Sequence, residues 1–373
     1  MRVVVAPDCF GGTLSAVEAA GAIAAGWASA APGDALALVP LSDGGPGLVD
    51  VLAARLPGRR VTVAVEGPLG GPVAADLLVA GDTAYVESAA ACGLHLVAER
   101  DPTVTSTFGV GQLVRAALHE GVRRVVVGLG GSATNDGGAG MLAALGLQAY
   151  DGSGAPVARG GLALRGAASL GGGPAGGLDP RLADVELVVA TDVDAPLLGL
   201  HGASNAFGPQ KGATRAQVLD LDDALRVWAD LLEAATGREV RDLPGAGAAG
   251  GLGAALLALG ARREPGIALV TELVGLAAAV ADAHLVVTGE GSFDASSLRG
   301  KVVSGVAALA AEQALPCLVL AGQVHVGRRE AAAIGVESSY ALADAVGLDE
   351  AMAAPAEELT ALAARVAREW SRG

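Results

Sequence analysis

The sequence predicts an α/β protein: a parallel sheet domain formed by both chain ends, with a second α/β domain inserted between them. Three observations lead there. Short Val-rich runs alternate with Ala/Leu-rich stretches near both ends, the βαβα pattern of a parallel sheet covered by helices. The middle breaks this rhythm with closely spaced short strands and Gly-rich connections. A length of 373 residues is also comfortable for two cores.

Arg2–Ala6 is the first strand expected, Ser15–Ser29 a helix, Leu36–Pro40 a strand and Gly47–Arg55 a helix. The pattern returns with a strand at His284–Thr288, a helix at Val302–Ala314, a strand at Cys317–Ala321 and a helix at Glu357–Trp370. Between them, Val61–Val65, Val73–Ala80 and Thr83–Glu87 are separated by Gly-Pro and Gly-Asp turns and predict a meander or hairpin. Gly152–Pro180, rich in Gly, is expected to be irregular. The domains are accordingly placed at 1–65 with 281–373, and at 66–280.

Composition narrows the function classes. A net charge of −15 opposes non-specific nucleic-acid binding but permits a small anion in a locally positive cleft. Three scattered Cys without a CxxC or Cys/His spacing argue against structural zinc and suit a reducing, cytoplasmic compartment. Apolar stretches are broken before membrane-spanning length, so no membrane partner is expected. Homo-oligomerisation is left open.

The segment from Arg124 to Met141 runs from a strand into glycines and small polar residues, then into an Ala/Leu helix. Backbone amides of Gly130 and Gly131, with Ser132, Thr134, Asn135 and Asp136, suit a phosphate or a small anion. The alternative is a tight turn with Asn135 or Asp136 as helix cap. Gly128, Gly130 and Ala133 also satisfy a dinucleotide fingerprint, with Asp151 near the ribose-binding offset, which keeps a dinucleotide-dependent oxidoreductase in view. No Gly-Lys-Ser/Thr ends the loop, so it is not a Walker A sequence.

Acidic loops follow other strands: Asp8, Asp43, Asp192 with Asp194, and Glu290 with Asp294. Carboxyl ends of parallel strands line binding crevices, and phosphoryl transfer uses carboxylates to hold Mg2+ and orient the attacking hydroxyl. Lys211 in Gly-Pro-Gln-Lys-Gly is a candidate cation for phosphate or substrate, or else a solvated surface lysine. The second Gly-rich stretch, Pro244 to Gly253, either approaches an anion or permits close packing.

These loops, in this order, resemble the glycerate kinase family that makes 2-phosphoglycerate. The resemblance runs through Asp8, Asp43-Gly-Gly, Thr105–Gln112, Gly128–Gly138, Thr191–Asp194, Phe207–Ala213, Pro244–Gly253 and Thr288–Gly291 with Asp294. It implies a two-domain α/β kinase, one domain flavodoxin-like, with ATP, Mg2+ and D-glycerate as ligands. It also implies that Asp192 orients or deprotonates the acceptor hydroxyl, that Gly130–Asp136 cradles phosphate or substrate, and that Lys211 offsets negative charge. Three positions depart from the family's usual residues: Gly11 for a lysine, Pro46 for a glutamate and Ser292 for an arginine. They leave open a kinase for a related hydroxy acid or polyol, or a non-catalytic small-anion sensor.

Overall fold

Apolar, β-branched runs become strands because a sheet covered on both faces can bury every side chain. Val3, Val4 and Val5 are all buried in the first of them. The computed structural model describes residues 1–173, 176–298 and 300–371. In chain order its strands are β1 (Arg2–Val5), β2 (Ala35–Leu38), β3 (Arg59–Glu66), β4 (Pro72–Ala80), β5 (Thr83–Glu87), β6 (Arg124–Gly128), β7 (Leu147–Asp151), β8 (Ala167–Gly172), β9 (Glu186–Ala190), β10 (Arg262–Glu264), β11 (Leu285–Phe293), β12 (Cys317–Val324) and β13 (Ser338–Ala341).

The chain divides into two compact units. The first comprises residues 1–43, 50–56 and 267–373; the second comprises 44–49 and 57–266. In the first unit the sheet order is β13-β12-β11-β1-β2 and every pairing is parallel. Counted within the unit, this is 2-1-3-4-5, a common doubly wound order whose switch point lies between β1 and β11. The expected sheet built from both chain ends is therefore present.

The helix Ala16–Ala30 starts at a capping box. Ser15 Oγ accepts from the Glu18 amide and the Glu18 carboxylate accepts from the Ser15 amide. Its buried face carries Ile23 and Trp27, packed with Leu359, Leu362 and Val366 of the helix Pro355–Trp370. Trp27 is fully buried, and its indole N–H reaches Asp34 Oδ2 at 2.9 Å.

The second unit's sheet runs β10-β9-β6-β5-β4-β3. β5, β6, β9 and β10 are parallel, while β3, β4 and β5 form the expected antiparallel meander. β3, assigned above to the first domain, pairs with β4 from Arg59–Val79 to Glu66–Pro72 and so lies with the second unit. Residues 267–280, assigned above to the inserted domain, lie with the first.

Gly152–Pro180 is less irregular than expected. Ala167–Gly172 forms β8 and pairs antiparallel with β7, and Leu162–Gly166 is a short 3-10 helix. Its small residues carry no alternating pattern, so only pairing with β7 defines the strand. Pro174 and Ala175 of that stretch lie outside the described residues.

Two glycines of one helix respond to the same substitution in opposite directions. A Cβ on Gly26 would sit 2.0 Å from the Thr360 carbonyl oxygen and 3.0 Å from Ala363 Cβ, whereas one on exposed Gly21 meets nothing within 4 Å. Gly21→Ala should stabilise by about 0.5–1 kcal/mol, from helix propensity alone. Gly26→Ala should destabilise by about 1–3 kcal/mol by forcing the two helices apart. Urea unfolding of both variants checks this; a neutral Gly26→Ala would show that the helix contact yields easily.

Candidate functional site

At the carboxyl edge of the first unit's sheet, the chain leaving β1 stays paired with β11. The Ala6 amide donates to the Val287 carbonyl and the Asp8 amide to the Gly289 carbonyl, each at 2.8 Å. On the other side, the Val39 and Leu41 amides donate to the Val5 and Pro7 carbonyls. Asp8, Glu290 and Asp43 are thereby delivered to the region of the switch point.

Burial, then the neighbouring charges of Asp43 and Glu290, push the Asp8 carboxyl up to about 8. Burial likewise pushes Glu290 up to about 7, against the Ser297 hydroxyl and Lys301, which favour its charged form. Glu290 is 8% exposed, and its Oε1 has no hydrogen-bond partner. Asp294, on the same loop, is different. Its Oδ1 accepts from the Ser296 amide and hydroxyl, closing a local turn that holds its carboxyl below the usual range.

The second unit presents a corresponding edge. β6 and β9 are neighbours in register Gly128–Ala190, and the Leu129 amide donates to the Ala190 carbonyl at 3.0 Å. The loops that follow, Leu129–Thr134 and Thr191–Asp194, therefore leave the sheet side by side. Gly128 has no room for a side chain, since a Cβ would meet the Gly44 carbonyl oxygen at 2.3 Å. Gly131 is exposed at the loop tip with φ +62°, beside Pro46. The loop's far side bridges to 92–94: the Leu94 amide donates to the Gly131 carbonyl and the Ala133 amide to the Cys92 carbonyl.

Asp136 is not presented to a ligand. It is 1% exposed, and its two oxygens accept from the amides of Thr107, Gly138 and Gly140 and from the Thr107 hydroxyl, at 2.8–3.2 Å. Burial raises its carboxyl pKa despite those bonds. It binds the Gly138 and Gly140 amides at the start of the helix Ala139–Ala144, so those amides are not open to a ligand. Asn135, fully buried, donates to Ser204 Oγ at 2.9 Å.

The dinucleotide reading fails on the same geometry. Ten residues of loop separate β6 from that six-residue helix, whereas the fingerprint needs a helix opening directly from the glycine turn. Asp151 accepts from the amides of Ser153 and Ala155 and from the Ser153 hydroxyl in an exposed turn.

Lys211 is neither a surface lysine nor open to a ligand. It is 2% exposed, and its ammonium donates to Ser132 Oγ at 3.0 Å and to the Thr134 carbonyl at 2.6 Å. Burial lowers its pKa to about 8; Cys92 and Asp136 act in the opposite sense. Lys211 thus braces the Ser132–Thr134 segment from beneath.

The second Gly-rich stretch serves packing. Ala249, Gly250 and Gly251 have positive φ, and a Cβ on Gly250 would lie 1.9 Å from the Thr134 carbonyl oxygen. The Gly250 carbonyl accepts from the Gly137 amide, and Trp228 donates its indole N–H to the Gly137 carbonyl at 2.8 Å.

Of the pair after β9, Asp192 is half-buried, while Asp194 is exposed and pairs with Arg263 at 2.6 Å. Two positions apart they would share one face of a regular strand, so their different exposure belongs to the irregular segment that follows β9. Thr107 and Ser88 were not singled out from the sequence as site residues. Ser88 follows β5 at the same edge, fully buried, with its hydroxyl oxygen unpartnered. A serine after a strand looks like any helix cap, so its sequence carries little signal.

The sequence pattern of the glycerate kinase family matches residues 3–371. The chain belongs to the glycerate kinase family. Bacillus subtilis has a glycerate kinase 45% identical over 374 residues, covering 98% of this chain and 97% of that protein. The glycerate 2-kinase of Escherichia coli is 43% identical over 357 residues, covering 94% and 93%. A crystal structure of a candidate glycerate kinase 2 from Salmonella typhimurium LT2 superposes with a TM-score of 0.79 at 42% identity, covering 100% of this chain and 98% of that one. The reaction class of this chain is accordingly phosphoryl transfer of the glycerate kinase type, to a small organic acid or polyol.

Membership in the glycerate kinase family implies ATP and Mg2+. Among the described residues no group of three or more His, Cys, Asp or Glu is set to hold a metal ion. Mg2+ in phosphoryl transfer takes only one or two protein carboxylates and completes its shell with phosphates and water. The half-buried Asp8, close enough to Asp43 to feel its charge, fits such a group. No described helix is long and apolar enough to cross a membrane.

The buried ammonium of Lys211 makes a pH-dependent contribution to stability. Its folded-state pKa, about 8, lies below its ordinary 10.5. Between those values the unfolded chain holds a proton that the folded chain has released, so stability rises with pH there. The displacement corresponds to about 3 kcal/mol. Lys211→Met should lack this rise, so wild type should gain on the variant in urea unfolding between pH 7.5 and 10.5. A constant difference would mean that Lys211 is not buried as an ion.

Proposed function

We propose that this chain transfers the γ-phosphoryl group of ATP to a hydroxyl of D-glycerate, giving 2-phosphoglycerate and ADP. The observation that carries the reading is the pairing of β6 with β9, which sets an exposed glycine loop beside a half-buried carboxylate, Asp192. Family membership supplies the reaction class.

In this mechanism Asp192 accepts a hydrogen bond from the acceptor hydroxyl and takes its proton as the oxygen bonds to the γ-phosphorus and the β–γ bridging bond breaks. The amides of Gly130 and Gly131 bind anionic oxygens of the reactants, because glycine lets backbone approach closely. Ser132 Oγ accepts from Lys211, which leaves its own proton to donate to the same oxygens. Lys211 is a positioning residue that fixes Ser132 and the Thr134 carbonyl. Asp136 and Asn135 hold the base of the loop. Asp8 and Asp43 would hold Mg2+, which screens the charge of the phosphates.

A second reading, a related hydroxy acid or polyol as acceptor, is favoured by one contact. Pro46 stands where the family usually has glutamate, and a Cβ on Gly131 would meet its ring at 2.6 Å. The loop tip thus faces an apolar ring in place of a carboxylate.

Purified protein with Mg-ATP and separate acceptors, followed by 31P and 1H NMR, should yield 2-phosphoglycerate from D-glycerate. Turnover of another acceptor with glycerate inert would replace the substrate. Anion binding without turnover of any acceptor would replace the kinase reading with a sensor. Asp192→Asn should lower kcat by about 10²–10⁴-fold with unfolding unchanged. An unaltered kcat would reassign Asp192 to a turn-forming role.

A further inference from the structure

We propose that Arg263 binds the carboxylate of the acceptor, and that Asp194 holds its guanidinium until the acceptor arrives. The inference deepens the phosphotransfer reading and rests on it for the placing of the acceptor hydroxyl at Asp192.

Arg263 stands on β10, the edge strand beside β9, in register with Val189. The two chains stay together past the strand ends, where the Thr191 amide donates to the Glu264 carbonyl at 3.0 Å. The strand order β10-β9-β6 therefore sets three groups in a row along one edge: Arg263, then the Thr191–Asp194 segment, then the glycine loop. Neighbouring strands lie about 4.8 Å apart, so the outer two stand on strands roughly 10 Å apart. An α-hydroxy acid carries its carboxylate on the carbon that bears the hydroxyl. With that hydroxyl at Asp192 and the phosphoryl group on the glycine side, the carboxylate falls on the β10 side.

A glycine clears the path of the Arg263 stem. Gly245 has φ +90°, and a Cβ there would meet Arg263 Cδ at 2.9 Å and Nε at 3.1 Å. Without that Cβ the stem lies against the Pro244–Gly253 stretch and reaches Asp194, where Nη2 pairs with Oδ1 at 2.6 Å. Nε is sealed from solvent without an acceptor, so any exchange of partners takes place at the terminal nitrogens. The Asp194 side chain is 80% exposed. An ion pair with one partner so open contributes little, because water competes for the carboxylate. A planar guanidinium takes a carboxylate with two parallel hydrogen bonds, so a substrate carboxylate displaces Asp194 at small cost.

Neighbouring cations are otherwise engaged. Lys211 is buried against Ser132 Oγ and the Thr134 carbonyl. Arg262 pairs with Glu186 and Glu264. Side chains alternate along a strand, so Arg263 leaves β10 on the face opposite that cluster and meets the Thr191–Asp194 segment instead.

The test uses the whole chain, with steady-state kinetics for D-glycerate and its uncharged amide, D-glyceramide, and calorimetry of D-glycerate without nucleotide. Arg263→Met should raise the KM and Kd for D-glycerate about 10- to 100-fold, the range for losing hydrogen bonds to a charged group. The KM values for ATP and D-glyceramide should stay within about twofold, since neither offers a carboxylate to this group. Arg263→Lys, which keeps the charge and lacks the planar fork, should fall between. Asp194→Asn should act in the opposite direction, lowering the D-glycerate KM about two- to fivefold by freeing the guanidinium. A merely structural ion pair gives no such opposition of sign, because breaking it from either side does the same harm. If Arg263→Met does not fold, the lysine and asparagine variants carry the test. Turnover with an unchanged D-glycerate KM in the Arg263 variants, or with one that does not fall in Asp194→Asn, overturns the inference and leaves the kinase reading standing. D-glycerate binding that depends on Arg263, without phosphoryl transfer to any acceptor, upholds the inference and overturns the kinase reading.

Discussion

Three backbone amides and one hydroxyl converge on the buried carboxylate of Asp136, and the architecture of the glycine loop follows from that convergence. Thr107 opens the helix Phe108–His119, while Gly138 and Gly140 belong to the start of the helix Ala139–Ala144. One side chain thus satisfies donors at two helix starts that would otherwise be buried unpaired, a deficit of about 1–3 kcal/mol for each group. The charge is tolerated because donors surround it; stripped of them it would be a buried ion without compensation. Lys211 and Trp228 complete the clamp, at the Thr134 and Gly137 carbonyls respectively. With its base fixed in this way, the loop exposes its tip at Gly131.

The first unit treats its carboxylates in the opposite way. Half-buried Asp8 and buried Glu290 lie close enough to Asp43 for its charge to raise both, yet Glu290 keeps an oxygen with no partner. Such groups destabilise the fold unless a cation, a proton or a hydrogen-bond donor arrives. Their position at the switch point of a 2-1-3-4-5 sheet explains why the fold concentrates them there. Strands on either side of the reversal send their following helices to opposite faces, and the gap exposes the strand ends. Asp136 is fully bonded, whereas Glu290 is incompletely bonded.

Much of this was legible in the sequence. The Val-rich runs of β1, β6 and β9 are strands because nothing else buries such side chains so completely. The acidic loops after strands were visible as loops. Their division of labour was not. Asp194 and Asp192 look equivalent two positions apart, yet one pairs with Arg263 at the surface and the other is half-buried. Lys211, in a turn of Gly and Pro, looks like a solvated cation; it lies buried because the Ser132–Thr134 segment, some eighty residues earlier, is brought over it.

Local propensity and residues adjacent in the chain sufficed for the α/β class, the alternation of strands and helices near both chain ends and the family to which the loops belong. Which carboxylates are spoken for depends on contacts made across the folded chain. Asp136 is a cap because Thr107, 29 positions away, places its amide and hydroxyl against it. Glu290 keeps an oxygen unpartnered because no comparable donor reaches it. A side chain's chemistry is written in its residue type, but whether its lone pairs remain available depends on which distant backbone folds over them, and no local pattern encodes that.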